Sequence, residues 1–103
     1  MARYNEKRIP YPEQDSLMDA LCAMLVSLKS KRAVKDFLKD LLNRQERVMI
    51  VRRLLIAQML LRGYTYHEII QTLHCGSPTI ARIDRWLNFG RGGFRKALAL
   101  LKI

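Results

Sequence analysis

The sequence predicts an all-α protein of six helices, and three observations lead to that fold class. Apolar residues recur at helical spacing along most of the chain, and no segment alternates with the period of two that is typical of strands. Capping residues and glycines divide this pattern into short segments. The chain has 103 residues, of which 50% are hydrophobic, and this suits one domain with its own core.

Residues 1–12 are predicted to form a flexible basic arm, and residues 13–103 a single helical domain. The arm carries Arg3, Lys7 and Arg8 and two prolines, but no apolar run, so it is not expected to be a signal peptide. It would help to hold phosphate, although an inert tail fits the same composition equally well.

Two helices are predicted in the first half of the chain. Helix 1 runs from about Gln14 to Leu28, and helix 2 from about Lys31 to Leu42, where Ser30 is placed to cap its first turn. Their apolar stripes have helical spacing. These stripes are Leu17, Leu21, Met24 and Leu28 in helix 1, and Val34, Phe37, Leu38 and Leu41 in helix 2.

Helix 3 is predicted from about Arg44 to Arg62, with Asn43 as N-cap and Glu46 completing a capping box. Gly63 is predicted to end it. Its second half, LLIAQMLL, is apolar nearly all round, and such a helix needs cover on more than one side. We therefore expect a homodimer with helix 3 near its centre. The alternative is a monomeric bundle that covers the helix fully.

Residues 65–87 predict a helix-turn-helix. Thr65 and Glu68 form the capping-box pattern at the start of helix 4. Gly76 is expected to supply the positive φ of a sharp turn. Ser77 is expected to be the N-cap of helix 5, with Pro78 at its first helical position.

Helix 5 separates into an apolar face and a DNA-binding face at about 100° per residue. Its apolar face consists of Ile80, Ile83 and Leu87, and the opposite face is small at its start and cationic further along. Such a face suits the major groove. The residues predicted to contact bases are Ser77, Pro78, Thr79, Ala81, Arg82 and Arg85, and those predicted to contact phosphates or flanking bases are Tyr66, His67 and Gln71. A helical hairpin that only packs is the alternative.

The last part of the chain is predicted to be a GRGG loop followed by a helix from Phe94 to Ile103. Arg91, Arg95 and Lys96 extend the basic surface beside the helix-turn-helix.

The overall charge favours a polyanionic partner. The chain has 19 Lys and Arg against 9 Asp and Glu, a net charge of +10, and double-stranded DNA is the partner we expect. A merely solvated basic surface is the alternative. No apolar stretch reaches the roughly 18 residues that span a bilayer, so we expect a soluble, cytoplasmic protein without membrane contact.

The sequence contains no constellation that predicts catalysis. Cys22 and Cys75 are too few for a disulfide framework or a zinc site, and neither a metal nor a cofactor is expected. No nucleophile–base pair, paired carboxylates or phosphate-binding glycine loop stands out, so the protein is not expected to be an enzyme.

Three short motifs resemble the Trp repressor superfamily, and specifically its YerC/YecD-like branch. They are L-L-x-x-x-E-R at Leu41–Arg47, R-G at Arg62–Gly63 and T-I-x-R at Thr79–Arg82, and the similarity extends over roughly residues 17–101. The resemblance implies an intertwined all-helical homodimer that binds operator DNA through two helix-turn-helix units. It also implies a role in transcription, with repression as the expected sense.

The resemblance also implies a candidate effector pocket. Two arginines of the Trp repressor's tryptophan pocket match Arg53 and Arg82, a threonine of its rim falls on Asn43, and a small serine falls on Trp86. An indole at that last position would occupy space that the ligand needs. We therefore expect regulation without tryptophan. Two alternatives stay open: a repressor that senses a different small molecule, and a non-regulatory module that binds RNA or RNA polymerase.

Overall fold

The computed structural model describes residues 8–101, and in that part of the chain it contains six α-helices and no strand. The predicted all-α, six-helix class is confirmed. The chain divides after Leu41 into two compact units. The helices are α1 (Tyr11–Ser27), α2 (Lys31–Leu41), α3 (Arg44–Leu61), α4 (Tyr66–Leu73), α5 (Ser77–Phe89) and α6 (Gly93–Leu101).

Helix α1 begins three residues before the predicted Gln14. Pro10 caps it, and the backbone N–H groups of Glu13 and Gln14 donate to the Pro10 carbonyl oxygen at 3.0 and 3.1 Å. Pro12 fits the first turn because its missing N–H would have no helical partner there. The end of the predicted arm is therefore helical from Tyr11 onward. Arg3 and Lys7 lie outside the described residues.

Within residues 8–41, the part of the first unit that the structure describes, no residue is fully buried. The Ser30 hydroxyl accepts from the Ala33 N–H at 3.0 Å and caps α2 as predicted. Neither α1 nor α2 contains a fully buried residue, and Leu17 and Met24 of the predicted stripe are more than half exposed. The stripes therefore exist at helical spacing, but none of their residues is fully buried: Leu17, Met24 and Leu41 are exposed and the others are half-buried.

Helix α3 has strong signals at both ends. Asn43 and Glu46 exchange two hydrogen bonds of 2.9 Å, which is the predicted capping box. At the other end Arg62 is the C-cap and Gly63 follows with φ +86°. The Gly63 N–H donates to the Leu60 carbonyl oxygen at 3.0 Å and the Tyr64 N–H to that of Met59 at 3.1 Å. This is a Schellman motif, so Gly63 ends the helix from just beyond the cap.

The core of the second unit forms where α3 packs against α4, α5 and α6. Its buried apolar residues are Ile56, Ala57, Ile69, Ile80, Ile83, Leu87 and Leu98. A fully buried isoleucine contributes about 1.5–3 kcal/mol relative to an exposed one, so these contacts hold α5 firmly on α3. The N-terminal half of α3 contributes no buried residue and exposes Val48 and Val51 instead.

Candidate nucleic-acid interface

Helix α4 starts at the predicted capping box. The Glu68 N–H donates to the Thr65 hydroxyl at 3.2 Å, and the Thr65 N–H donates to a Glu68 carboxylate oxygen at 2.9 Å. The backbone hydrogen bond from Thr65, followed by its side-chain hydrogen bond, lowers the pKa of the Glu68 carboxyl below its ordinary value of 4.5. The carboxylate is thus stabilised in its charged form at the helix N-terminus.

The turn between α4 and α5 differs from the prediction. His74, and not Gly76, takes the left-handed conformation, with φ 55° and ψ 44°, and its N–H donates to the Ile70 carbonyl oxygen at 2.9 Å. Gly76 has φ −90° and is itself the N-cap of α5. Ser77 is therefore the first helical residue and not the cap, and Pro78 occupies the second position. Pro78 lacks an N–H and is tolerated there because the first-turn N–H groups have no helical acceptor.

The faces of α5 divide as predicted. Ile80, Ile83 and Leu87 are buried on the core side. Every residue predicted to contact DNA is exposed: Tyr66, His67, Gln71, Ser77, Pro78, Thr79, Ala81, Arg82 and Arg85. The exposed side of α5 is thus small near its N-terminus and cationic further along, and both properties suit a helix that enters the major groove.

Tyr66 has a partner that the sequence did not indicate. Its hydroxyl donates to one carboxylate oxygen of Asp84 at 2.8 Å, and the amide nitrogen of Asn88 donates to the other at 3.0 Å. The hydrogen bond to Asp84, and then burial and the Asp84 charge, raise the pKa of Tyr66 above its ordinary value of 10.0. The start of α4 is thereby connected to the middle of α5.

A cavity of about 290 Å³ lies between α3, the turn and α5. It brings together two of the four residues predicted for an effector pocket, Arg53 and Arg82, with a third, Trp86, in its wall. Asn43 does not line it, because that side chain caps α3. The remaining lining residues are Met49, Arg52, Ile56, His74, Cys75, Gly76, Thr79 and Ile83.

The cavity is small and cationic. Its volume is at the lower end of the range for small-molecule sites, and three arginines surround it. Trp86 is 41% exposed and also lines a second, more apolar cavity with Leu54 and Phe94. Trp86 therefore lines both cavities.

Within residues 8–101, no three His, Cys, Asp or Glu side chains come close enough together to hold a metal ion. In the same part of the chain, no helix has both the length and the apolar character needed to cross a membrane.

Fold and site together define a class: an all-α protein built around a helix-turn-helix. Comparison with known proteins then gives the family. The model of the Trp repressor protein family matches residues 16–102. The chain belongs to the Trp repressor family, which is built on a DNA-binding regulatory fold, and the resemblance drawn from the sequence is confirmed.

Individual relatives agree with this assignment. The chain is 34% identical over 85 residues to the uncharacterized protein YerC of Bacillus subtilis (strain 168), and the match covers 82% of each protein. A TrpR-like protein from Eubacterium eligens ATCC 27750 superposes with a TM-score of 0.78 at 27% identity, over 85% of this chain and 91% of that one. A putative Trp repressor from Staphylococcus aureus gives 0.73 at 27% identity, over 98% and 97%.

Proposed function

We propose that this protein is a sequence-specific, double-stranded-DNA-binding transcriptional regulator that acts as a homodimer, represses its target and does not need tryptophan. The observation that carries the proposal is the exposed face of α5, which is small at Pro78 and Ala81 and cationic at Arg82 and Arg85. The opposite face is fixed to α3 by buried isoleucines, so the reading side chains project from a rigid element.

Each part of this face has a distinct role in the proposed complex. The small residues let the start of α5 enter a major groove about 12 Å wide. Arg82 and Arg85 then reach guanine edges or phosphates, because a guanidinium presents paired donors. Ser77 and Thr79 supply hydroxyls near the groove floor, while His67 and Gln71 lie on α4, which would cross the backbone.

The exposed apolar surface of α3 supports the homodimer. Val48, Val51 and Leu55 follow helical spacing and are 49%, 54% and 38% exposed. Helices α1 and α2 contain no fully buried residue either, and exposed apolar side chains of this kind favour association with a second copy of the chain. A twofold dimer would present two α5 helices to half-sites about one helical turn, roughly 34 Å, apart.

Gel-shift titration of Arg82→Ala and Arg85→Ala on a duplex selected by the wild-type protein tests the DNA-reading role. We expect each to weaken specific binding by roughly 1–3 kcal/mol if its side chain reads a base. Arg62→Ala is the matched control, since it removes the same charge from the C-cap of α3. Unchanged affinity in both α5 variants would remove the role proposed for this face.

A repressor that senses a small anion is the second candidate, and the cationic cavity favours it. Arg53 and Arg82 both line the cavity, and Arg82 also lies on the exposed side of α5. A carboxylate between the two arginines would therefore change the position of a DNA-reading side chain. Thermal-shift screening of amino acids and related acids separates the two candidates: a shift that Arg53→Ala abolishes supports sensing, and no shift favours regulation without a ligand.

Binding of RNA in place of DNA is the alternative that competition tests. Duplex DNA and single-stranded RNA are titrated against each other at one fixed salt concentration, because electrostatic binding alone depends steeply on salt. Preference for the RNA would contradict the proposed function.

A further inference from the structure

A hydrogen-bonded chain of three polar side chains joins α4 to α5 on one flank of the reading helix. Tyr66 donates to one Asp84 carboxylate oxygen at 2.8 Å, and Asn88 donates to the other at 3.0 Å. The Asn88 amide also donates to the Asp84 backbone carbonyl oxygen at 3.0 Å, which fixes its own orientation. Within residues 8–101, the bond from Tyr66 is the one side chain–side chain hydrogen bond between α4 and α5.

These three side chains are poorly suited to contact DNA directly. The Tyr66 hydroxyl has one proton, and Asp84 accepts it, so none is left to donate to a phosphate. Both Asp84 oxygens already have donors, and a carboxylate beside a phosphate is repelled. Asp84 is also half-buried, on the flank between the core residue Ile80 and the exposed face.

We infer that Tyr66, Asp84 and Asn88 form a positioning unit that sets the orientation of α5 relative to α4 and thereby raises the preference for specific over non-specific DNA. The inference rests on the proposed role of α5 as a DNA-reading helix. Base recognition requires side chains within about 0.5 Å of their productive positions. Attraction to phosphates tolerates a looser helix, because it depends mainly on charge. Loss of the positioning unit should therefore weaken binding to the specific duplex more than binding to non-specific DNA.

The variants separate geometry from charge. Tyr66→Phe keeps the ring and removes the bond, and Asp84→Ala removes both the bond and the charge. Asp84→Asn removes the charge and one of the two acceptor oxygens, so Tyr66 and Asn88 can no longer both donate to this side chain. Tyr64→Phe is the matched control, because Tyr64 lies two residues away, is 44% exposed and is outside the positioning unit.

The measured quantity is the ratio of dissociation constants for a scrambled and a selected duplex, together with its salt dependence. We expect Tyr66→Phe and Asp84→Ala to lower the ratio about five- to tenfold, which corresponds to the net contribution of one partly exposed hydrogen bond. Tyr64→Phe should stay within about twofold of the wild type, because it leaves both hydrogen bonds to Asp84 in place. Asp84→Asn should give an intermediate loss, because it keeps one acceptor oxygen of the two. The slope of log affinity against log salt concentration should not change in Tyr66→Phe or Tyr64→Phe, because neither variant loses a phosphate contact.

A second readout follows the bond itself. NMR titration of the Tyr66 ring should give a pKa above its ordinary value of 10.0 in the wild type and a return toward that value in Asp84→Ala. If Asp84→Ala does not fold, Tyr66→Phe still carries the binding test.

Three results would overturn the inference. An unchanged ratio in Tyr66→Phe shows that the bond does not position α5. Equal loss of specific and non-specific affinity, with a smaller salt slope, shows that Tyr66 contacts phosphate directly. A wild-type protein without preference for any duplex removes the proposed function and this inference with it, whereas the first two results leave the proposed function intact.

Discussion

Replacement of Gly90 by alanine is expected to destabilise the protein, while the same replacement at Gly93 is expected to stabilise it. Gly90 is the C-cap of α5, and its N–H donates to the Trp86 carbonyl oxygen at 2.9 Å. A β-carbon at Gly90 would overlap that oxygen and would lie 3.2 Å from the Trp86 carbonyl carbon. At Gly93, the first residue of α6, a β-carbon would meet nothing within 4 Å.

The magnitude follows from what must move. The obstructing atom belongs to the backbone, so relief requires a shift of the α5 terminus and weakens its last hydrogen bond, at about 0.5–1.5 kcal/mol. Overpacking adds about 1–3 kcal/mol. Alanine also restricts the unfolded chain more than glycine does, and this offsets about 0.4–1 kcal/mol of the destabilisation. The net expectation for Gly90→Ala is a loss of about 2 kcal/mol, which lowers Tm by roughly 10 °C for a domain of this size.

Gly93→Ala reduces the freedom of the unfolded chain without creating a steric clash in the folded protein. Its φ is not in the left-handed region and its β-carbon has open space, so a gain of about 0.4–1 kcal/mol is expected. Urea unfolding followed by circular dichroism, with all proteins at one concentration, measures both changes. Equal destabilisation by the two alanines, or a gain at Gly90, would refute the steric explanation.

Three further changes have expected outcomes. Trp86→Ser should enlarge the cavity and give a thermal shift with L-tryptophan that the wild type lacks; a shift in neither would mean that the indole is not what excludes this ligand. Glu68→Gln keeps the capping acceptor but not the charge. Because the pKa of Glu68 in the folded protein lies below 4.5, the wild type should have a larger free energy of unfolding than Glu68→Gln at all pH values above 4.5. This difference should disappear as pH falls through the folded-state pKa, and a difference that does not change with pH would refute this linkage. Val51→Asp places a charge on the exposed α3 surface and should shift the sedimentation mass from dimer to monomer; an unchanged mass counts against that interface.

Local signals made the starts of α3 and α4 predictable. Asn43 and Thr65 each precede a glutamate by three residues, and both capping boxes form. The core stripe of α5 was also predictable, because periodicity alone assigns Ile80 and its neighbours to one face.

The backbone conformation of the turn between α4 and α5 was not predictable from the sequence. Glycine usually takes the left-handed conformation, but here His74 takes it, while Gly76 stays at φ −90°. One residue of shift in the turn changed Ser77 from a cap into the first helical residue. Propensity favours glycine at the left-handed position, whereas in the folded chain His74 occupies it and donates its N–H to the Ile70 carbonyl oxygen.

Tertiary contacts account for the part of the site that sequence reasoning missed. Tyr66 and Asp84 are 18 residues apart, and no spacing rule pairs them. Arg52 and His74 join the cavity for the same reason, since α3 and the turn meet only in the folded chain. Asn43 was predicted for the effector pocket, but its side chain caps α3 in a local capping box and does not line the cavity.

Selection of duplexes from a random pool tests the central claim most directly, with the purified wild-type protein and no added ligand. If two α5 helices read DNA as a pair, the enriched duplexes share two half-sites related by inverted symmetry and centred about one helical turn apart. Enrichment of no sequence, or of a single unpaired half-site, would contradict the account.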